Sequence, residues 1–216
     1  MSFGSLGLRG QAGERLMLNI NSLKIQHKIS GSYTIILAFF LVLATYSYLG
    51  GVRMNSLAMQ LQERAYLPYK DGVVLQEDRK KISDLFSEAI NFSDSAKLEK
   101  AGDAGKEFLA TLEHLKGMAR EDSKELGEIE SLFNAYMDLG RKLVSSLITA
   151  KDIGMAEQDI KRFGEVTNNL RQHLDEYTSG KDKTFKEGIE GLSRLAGNFK
   201  NITILITAGI IMLGIF

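Results

Sequence analysis

The chain has 216 residues, which is long enough for one ordinary domain with its own core. Lys and Arg number 27 and balance 27 Asp and Glu, so no net charge favours nucleic acid or an acidic partner. The absence of Cys excludes a disulfide framework and a Cys-based metal site. A single Pro and long tracts of Glu, Lys, Ala and Leu are typical of a nearly all-helical protein. We therefore predict an all-α fold class.

Residues 1–29 precede the first long apolar run. Their first part is rich in Gly and shows no periodicity, so we expect it to be disordered. Lys24 and Lys28 lie just before the apolar run, whereas Arg53 alone lies close behind it. Because positive residues favour the cytoplasmic side of a membrane, we interpret residues 1–29 as a cytoplasmic leader.

Residues 30–51 carry no charge. A helix needs about 20 such residues to cross a bilayer. The alternative is a cleaved signal peptide, but its apolar core spans only about 7–15 residues and precedes a small-x-small cleavage pattern, which is missing here. Tyr33, Tyr46 and Tyr48 lie near the two ends, where amphipathic rings favour the lipid headgroups. We predict a first transmembrane helix over 30–51.

A second apolar run covers residues 201–216. It is shorter than a full span, and a buried core helix is the alternative for that length. The run has no polar face, so we interpret it as a second transmembrane helix, truncated from a longer natural chain. The basic flank before the first span then places residues 52–200 outside the inner membrane.

Apolar residues in 52–200 recur with a period near 3.5, which is typical of helices packed in a bundle. Towards the second span, the seam runs through Ile160, Phe163, Thr167, Leu170, Leu174, Tyr177, Lys181, Thr184, Gly188, Leu192, Leu195 and Phe199. After the first span, the seam runs through Met54, Leu57, Leu61, Arg64, Pro68, Asp71, Leu75, Asp78, Ile82, Leu85, Ala89 and Phe92. A parallel stripe beside it adds Ala58, Ala65, Gly72, Arg79 and Phe86, so the face is broad enough for a bundle.

Two shorter helices are predicted between these long ones, at roughly 95–119 and 122–150. The apolar face of the first comprises Leu98, Ala101, Phe108, Leu112 and Leu115, and that of the second comprises Ile129, Leu132, Phe133, Tyr136, Leu139, Leu143, Leu147 and Ile148. Helix caps and glycines separate them, at Ser93 to Ser95, at Gly117 with Asp122 or Ser123, and at Asp152 with Gly154. The sequence therefore predicts an antiparallel four-helix bundle flanked by two transmembrane helices. Pro68 stands inside the first long helix and predicts a bend or helix boundary there, or a hinge.

The stretch "SLKIQHKISGSYTIILAFFLVL", followed by a long amphipathic helix with "YLPY" and helices returning to a second span, resembles the N-terminal half of a methyl-accepting chemotaxis protein. This resemblance covers residues 22–216. It implies a dimeric receptor whose extracytoplasmic bundle binds a small molecule or a periplasmic binding protein and passes the signal inward by a piston-like shift. Cytoplasmic signalling proteins would act through an output domain that these residues do not include.

Other functions stay open beside this one. Membrane histidine kinases and diguanylate cyclases can carry the same four-helix sensor, and a structural helical-bundle protein is the non-sensing alternative. Catalysis is not predicted, because His114 and His173 lack the Glu three residues earlier that a di-metal bundle requires. We expect no cofactor, no metal and no nucleic acid.

The predicted ligand site rests on the resemblance and on helical rise. In the resembled family, basic residues of the first helix and hydroxyl or backbone groups of the last helix line a pocket at the dimer interface. Arg79 would stand about 44 Å above the membrane and Thr167 about 51 Å. Arg79 would clamp a carboxylate, and Thr167, Asn168 and Arg171 would add hydrogen bonds. The alternative is that Arg79 extends to solvent and Thr167 is a satisfied core hydroxyl.

A homodimer is also expected from helix lengths. The outer helices would be about 66 Å long and the inner pair about 38–44 Å, so the inner pair cannot cover the outer helices down to the membrane. The uncovered stripe has Met54, Leu57 and Leu61 opposite Leu192, Leu195 and Phe199. A second copy of the chain is its simplest predicted partner.

Overall fold

The computed structural model describes the backbone of residues 25–149 and 156–215, and the side chains of residues 30–148 and 157–212. Within these ranges every regular element is helical, which confirms the all-α prediction. The elements are α1 (Ile25–Leu61), a π-helical turn (Gln62–Tyr66), α2 (Leu67–Phe92), α3 (Ser95–Met118), a 3₁₀ turn (Arg120–Asp122), α4 (Ser123–Thr149) and α5 (Ala156–Ile215).

The break between α2 and α3 follows from its capping residues. Ser93 adopts a left-handed conformation with φ 52°, which ends α2. The Asp94 carboxylate then accepts a hydrogen bond of 2.9 Å from the Ala96 amide and caps α3. The predicted ends of the two shorter helices agree with α3 and α4 to within one residue. The predicted break at Asp152 and Gly154, and most of the predicted leader, lie outside the described residues.

The chain divides into two compact units. The terminal unit comprises Arg53 and the residues before it, with Ala196 and the residues after it. In this unit the Tyr46 and Phe199 rings stack with centroids 5.0 Å apart. A Cβ on Gly50 would lie 2.2 Å from the Phe199 ring, so the absence of a side chain at Gly50 allows this close approach.

The central unit, residues 54–195, contains the hydrophobic core. Its fully buried side chains come from all four helices of this unit: Leu75, Ile82, Phe108, Leu112, Leu115, Leu126, Ile129, Phe133, Tyr136, Leu170 and Leu174. Most of these residues lie at the predicted seam positions. The reason is that helices of this length pack by burying their apolar face, which is the face that the periodicity marks. Five aromatic rings form a contiguous cluster inside this core: Phe86, Phe108, Phe133, Tyr136 and Phe163.

Polar contacts define how neighbouring helices of the central unit are aligned. Along α2 and α3 the pairs are Glu88 with Lys97, Lys81 with Glu107 at 3.0 Å, and Asp71 with His114 at 3.0 Å. Between α5 and α4 with its preceding 3₁₀ turn they are Lys142 with Asp159 at 3.1 Å and Asp122 with Lys181 at 2.5 Å. In each set the residue numbers rise along one helix as they fall along the other.

Pro68 explains the π-helical turn. Pro68 occupies the first turn of α2 and is buried, and the helix continues through it without a break. A proline ring clashes with the carbonyl four residues earlier, which belongs to Arg64 inside the π-helical turn. A widened turn at this position moves that carbonyl away, so the predicted bend or boundary takes the form of a local change in helix type.

Candidate ligand site

Arg79 lies on α2 and is half-buried. Its Nε atom is fully buried and finds no hydrogen-bond partner among the described residues. Buried donors in folded proteins are almost always satisfied by protein, water or a bound group. The unpaired Nε therefore leaves one donor of Arg79 without an acceptor in the described part of the chain.

Tyr136 on α4 lies beside Arg79 and has the same property. Tyr136 is fully buried, and its hydroxyl has no hydrogen-bond partner in the described part of the chain. Burial raises the pKa of Tyr136 to about 12, while Ser83 and the positive charge of Arg79 act in the opposite direction. Ser83 is close enough to influence this pKa but does not meet the geometry of a hydrogen bond. The phenol is thus neutral and can donate or accept.

The aromatic cluster packs against the ring of Tyr136. Phe163 stacks on Tyr136 with ring centroids 5.2 Å apart, Phe86 lies 5.8 Å from the same ring and Phe133 lies 6.3 Å from it. These rings lower the polarity around Tyr136, which strengthens any hydrogen bond that its hydroxyl makes. Sequence reasoning assigned Tyr136 only to the apolar face of its helix. The signal that could have marked it is a phenol at a seam position otherwise occupied by Leu and Phe.

The other predicted site residues lie on α5. The Thr167 hydroxyl is half-buried and donates to the Phe163 carbonyl oxygen at 2.7 Å, so its donor is already used within its own helix. Asn168 and Arg171 are exposed. Within the described residues, Arg79, Thr167, Asn168 and Arg171 form no hydrogen bond or ion pair with one another.

The alignment of α2 with α5 nevertheless places these residues near one level. The Gln76 amide donates to the Asp175 carboxylate at 2.8 Å and to the Leu174 carbonyl oxygen at 3.5 Å. Further along α2, Phe86 lies 6.2 Å from the earlier α5 residue Phe163, so residue numbers fall along α5 as they rise along α2. Arg79 lies one turn beyond Gln76 along α2, and Arg171 one turn before Leu174 along α5. The two arginines therefore stand at the same level, and Thr167 stands about one turn further along.

A second polar cluster lies where α4 begins. The Tyr177 hydroxyl donates to Asp122 at 3.4 Å, Lys181 pairs with the same carboxylate, and the Lys181 ammonium lies 5.5 Å from the centroid of the Tyr177 ring. Burial raises the pKa of Tyr177, and the nearby carboxylates of Asp122 and Glu125 raise it further. Because the donors and acceptors here satisfy one another, this cluster is suited to stability rather than to ligand binding.

The described residues bring together no group of three His, Asp or Glu side chains that could hold a metal ion. The expectation that the chain binds no metal or cofactor and is not an enzyme stays a prediction.

Two helical stretches of the described residues, Ser30–Phe92 and Glu157–Met212, contain windows that are long and apolar enough to cross a membrane by length and composition. No part of either window is buried within the structure. A core helix of the same composition would be mostly buried. No family model, curated protein or solved structure matches the chain.

Proposed function

We propose that this chain is the sensor module of a transmembrane receptor of the chemotaxis type, with an extracytoplasmic bundle that binds a small anionic ligand. The observation that carries this proposal is the pair of buried, unsatisfied polar atoms, Arg79 Nε and Tyr136 Oη, the second of which belongs to a ring of the aromatic cluster. A purely structural bundle gains nothing from such a pair, because leaving buried polar groups unpaired costs about 1–3 kcal/mol each.

The proposed architecture is an antiparallel four-helix bundle between two membrane spans. The opposed numbering of the ion pairs along α2 and α3, and along α4 and α5, supports the antiparallel arrangement. The two unburied apolar windows support the spans. Within this proposal, residues 30–51 and 201–216 lie in the inner membrane, residues 52–200 lie outside it, and a cytoplasmic output domain receives the signal.

The proposed ligand carries a carboxylate. Arg79 binds the carboxylate through two parallel hydrogen bonds, and the neutral Tyr136 hydroxyl donates a third. Arg171 stands at the same level on α5 and adds positive charge, while Thr167 and Asn168 add acceptor and amide groups. A homodimer, as the resemblance implies, would contain two sets of these ligand-binding side chains. A periplasmic binding protein, in place of a small molecule, is the alternative source of the signal.

One observation favours a non-sensing helical bundle as the second candidate. The Thr167 hydroxyl is satisfied within its own helix, and Asn168 and Arg171 are exposed as ordinary surface residues are. This alternative predicts that no small molecule stabilises the protein. The output type, whether a methylated signalling hairpin, a histidine kinase or a diguanylate cyclase, does not affect the ligand test.

The test is a thermal-shift screen of the full chain in nanodiscs against amino acids and organic acids. We expect a carboxylate-bearing compound to raise the melting temperature. Arg79→Ala is then expected to weaken its affinity about tenfold or more, and Tyr136→Phe by a smaller factor. Arg120→Ala is the matched control, because Arg120 is exposed and lies in the 3₁₀ turn. An Arg79→Ala affinity within twofold of wild type would refute this site.

A further inference from the structure

A cavity of about 630 Å³ lies within the central unit, between the end of α1 with the π-helical turn and the facing part of α5. Its walls are mainly aliphatic, from Leu57, Leu61, Ala65, Leu192 and Leu195. Ligand cavities in proteins range over about 300–1,000 Å³ and are mostly apolar, with a few polar groups. By size and lining this cavity belongs to that class, and it is separate from the Arg79 site.

Two glycines of α5 shape the cavity. A Cβ on Gly188 would lie 2.2 Å from Leu61 Cδ1, so Gly188 lets α5 approach Leu61 closely. A Cβ on Gly191 would meet nothing within 4 Å, so Gly191 faces open space on the same helix. The π-helical turn widens the opposite wall at Arg64 and Ala65. The cavity therefore arises from the π-helical turn at Pro68 on one side and from glycines, which have no side chain, on the α5 side.

Charge distinguishes this cavity from a plain apolar groove. The charged lining residues are Arg64 and Arg194. The Arg194 guanidinium is engaged by Glu190 at 3.4 Å. Arg64 forms no ion pair with any described residue. Thr184 donates to the Gly180 carbonyl oxygen at 3.0 Å and keeps its own lone pairs free. Of the two cations at the edge of the aliphatic lining, Arg64 lacks a carboxylate partner in the described part of the chain, whereas Arg194 has only an exposed surface pair.

We propose that this cavity binds a single-chain aliphatic carboxylate, with the alkyl chain against the leucines and the carboxylate on Arg64. One free guanidinium matches one carboxylate and can bind it through two parallel hydrogen bonds. The inference does not depend on the proposed sensing function, because it uses neither Arg79 nor Tyr136.

The sequence-based expectation covered this stripe with a second copy of the chain. The structure half-buries Leu57, Leu61, Leu192 and Leu195 around the cavity, and the homodimer stays a prediction.

The experiment uses the full chain in phosphatidylcholine nanodiscs and dodecanoic acid that carries a diazirine near its methyl end. After illumination, mass spectrometry maps the labelled residues. We expect labelling to concentrate on the peptides that line the cavity. Arg64→Gln is expected to reduce this labelling about tenfold, and Arg53→Gln, which changes an exposed arginine of α1 outside the lining, is expected to leave it unchanged.

A second pair of variants tests the hollow itself. Gly191→Leu fills the open space and is expected to abolish cavity labelling, whereas Gly180→Leu, also an α5 glycine with nothing within 4 Å, is expected to preserve it. Equal cavity labelling by the matching diazirine alcohol would overturn the carboxylate assignment. Undiminished labelling in Arg64→Gln or Gly191→Leu, or cross-links between two chains in place of lipid labelling, would overturn the site.

Discussion

Lys181 of α5 and Asp122 of the 3₁₀ turn form an ion pair with Nζ and Oδ2 2.5 Å apart, and both side chains are about 85% buried, with exposures of 15% and 14%. This contact ties the last helix to the connection between the two shorter helices. Because Tyr177 also donates to Asp122, the carboxylate is shared by a phenol and an ammonium. A shared, mostly buried carboxylate makes this point of the central unit sensitive to substitution.

Removal of Lys181 is expected to destabilise the protein. Lys181→Met keeps the aliphatic stem but leaves the Asp122 carboxylate without its cation, which costs about 2 kcal/mol after allowance for residual solvent contact. For a chain of this size that corresponds to a fall in melting temperature of about 4–8 °C. This fall in melting temperature is measured by circular dichroism of the full chain in nanodiscs during heating.

Lys183→Met is the control for that experiment. Lys183 and Glu187 lie 4.0 Å apart and are exposed by 78% and 67%, and such surface pairs contribute about 0–1 kcal/mol. If Lys181→Met and Lys183→Met melt at the same temperature, the Asp122 contact does not hold α5 in place.

Two glycines of α4 are expected to respond in opposite directions to the same substitution. A Cβ on Gly140 would lie 2.3 Å from Phe86 Cε2, so Gly140→Ala should displace a ring of the aromatic cluster and destabilise by about 1–3 kcal/mol. A Cβ on Gly127 would meet nothing within 4 Å, so Gly127→Ala should stabilise α4 by about 0.5–1 kcal/mol. The melting temperatures of both variants, compared with the wild type, test this expectation. A stabilised Gly140→Ala would contradict the close packing of Phe86 against Gly140.

The pH dependence of stability is expected to include a contribution from Glu125. Burial holds the pKa of Glu125 above its ordinary value of 4.5, and Asp122 raises it further, while Lys181 and His173 lower it. The folded protein therefore binds this proton more tightly than the unfolded chain. Stability from this group is greatest below pH 4.5 and falls as pH rises from 4.5 through the folded pKa.

Glu125→Gln removes this dependence. The variant and the wild type should melt at similar temperatures below pH 4.5, and the variant should become the more stable of the two as pH rises. Glu121→Gln, at an exposed position of the 3₁₀ turn, should follow the wild type throughout. The measurement is melting temperature at intervals between about pH 4 and 8. A constant difference between Glu125→Gln and wild type across that range would argue against the burial of Glu125.

Membrane topology can be tested by cysteine labelling without background labelling of native residues, because the chain has no Cys. Ser123 is exposed at the start of α4, so Ser123→Cys is expected to react with a membrane-impermeant maleimide added to intact spheroplasts. Ser5→Cys, in the predicted cytoplasmic leader, should react only after lysis. Reaction of Ser123→Cys only after lysis would invert the proposed topology.

The local elements were predictable because their causes are local. Helix content, the ends of α3 and α4, and the cap at Asp94 follow from apolar periodicity and from capping side chains within a few residues. The two apolar windows were equally visible, since length and absence of charge are properties of the sequence alone. Pro68 marked the position of a helix irregularity, but its π-helical form depends on how the surrounding turns pack.

Only the tertiary structure decided what the polar seam residues do. Arg79 and Thr167 appeared equivalent as polar residues on apolar stripes, yet Thr167 is satisfied by its own helix while Arg79 leaves Nε unpaired beside Tyr136. The phenol of Tyr136 at a seam position was visible in the sequence, but the absence of a partner for its hydroxyl depends on residues far away in sequence. The hollow beside Gly191 is likewise invisible to periodicity, since it comes from the approach of two helices more than a hundred residues apart.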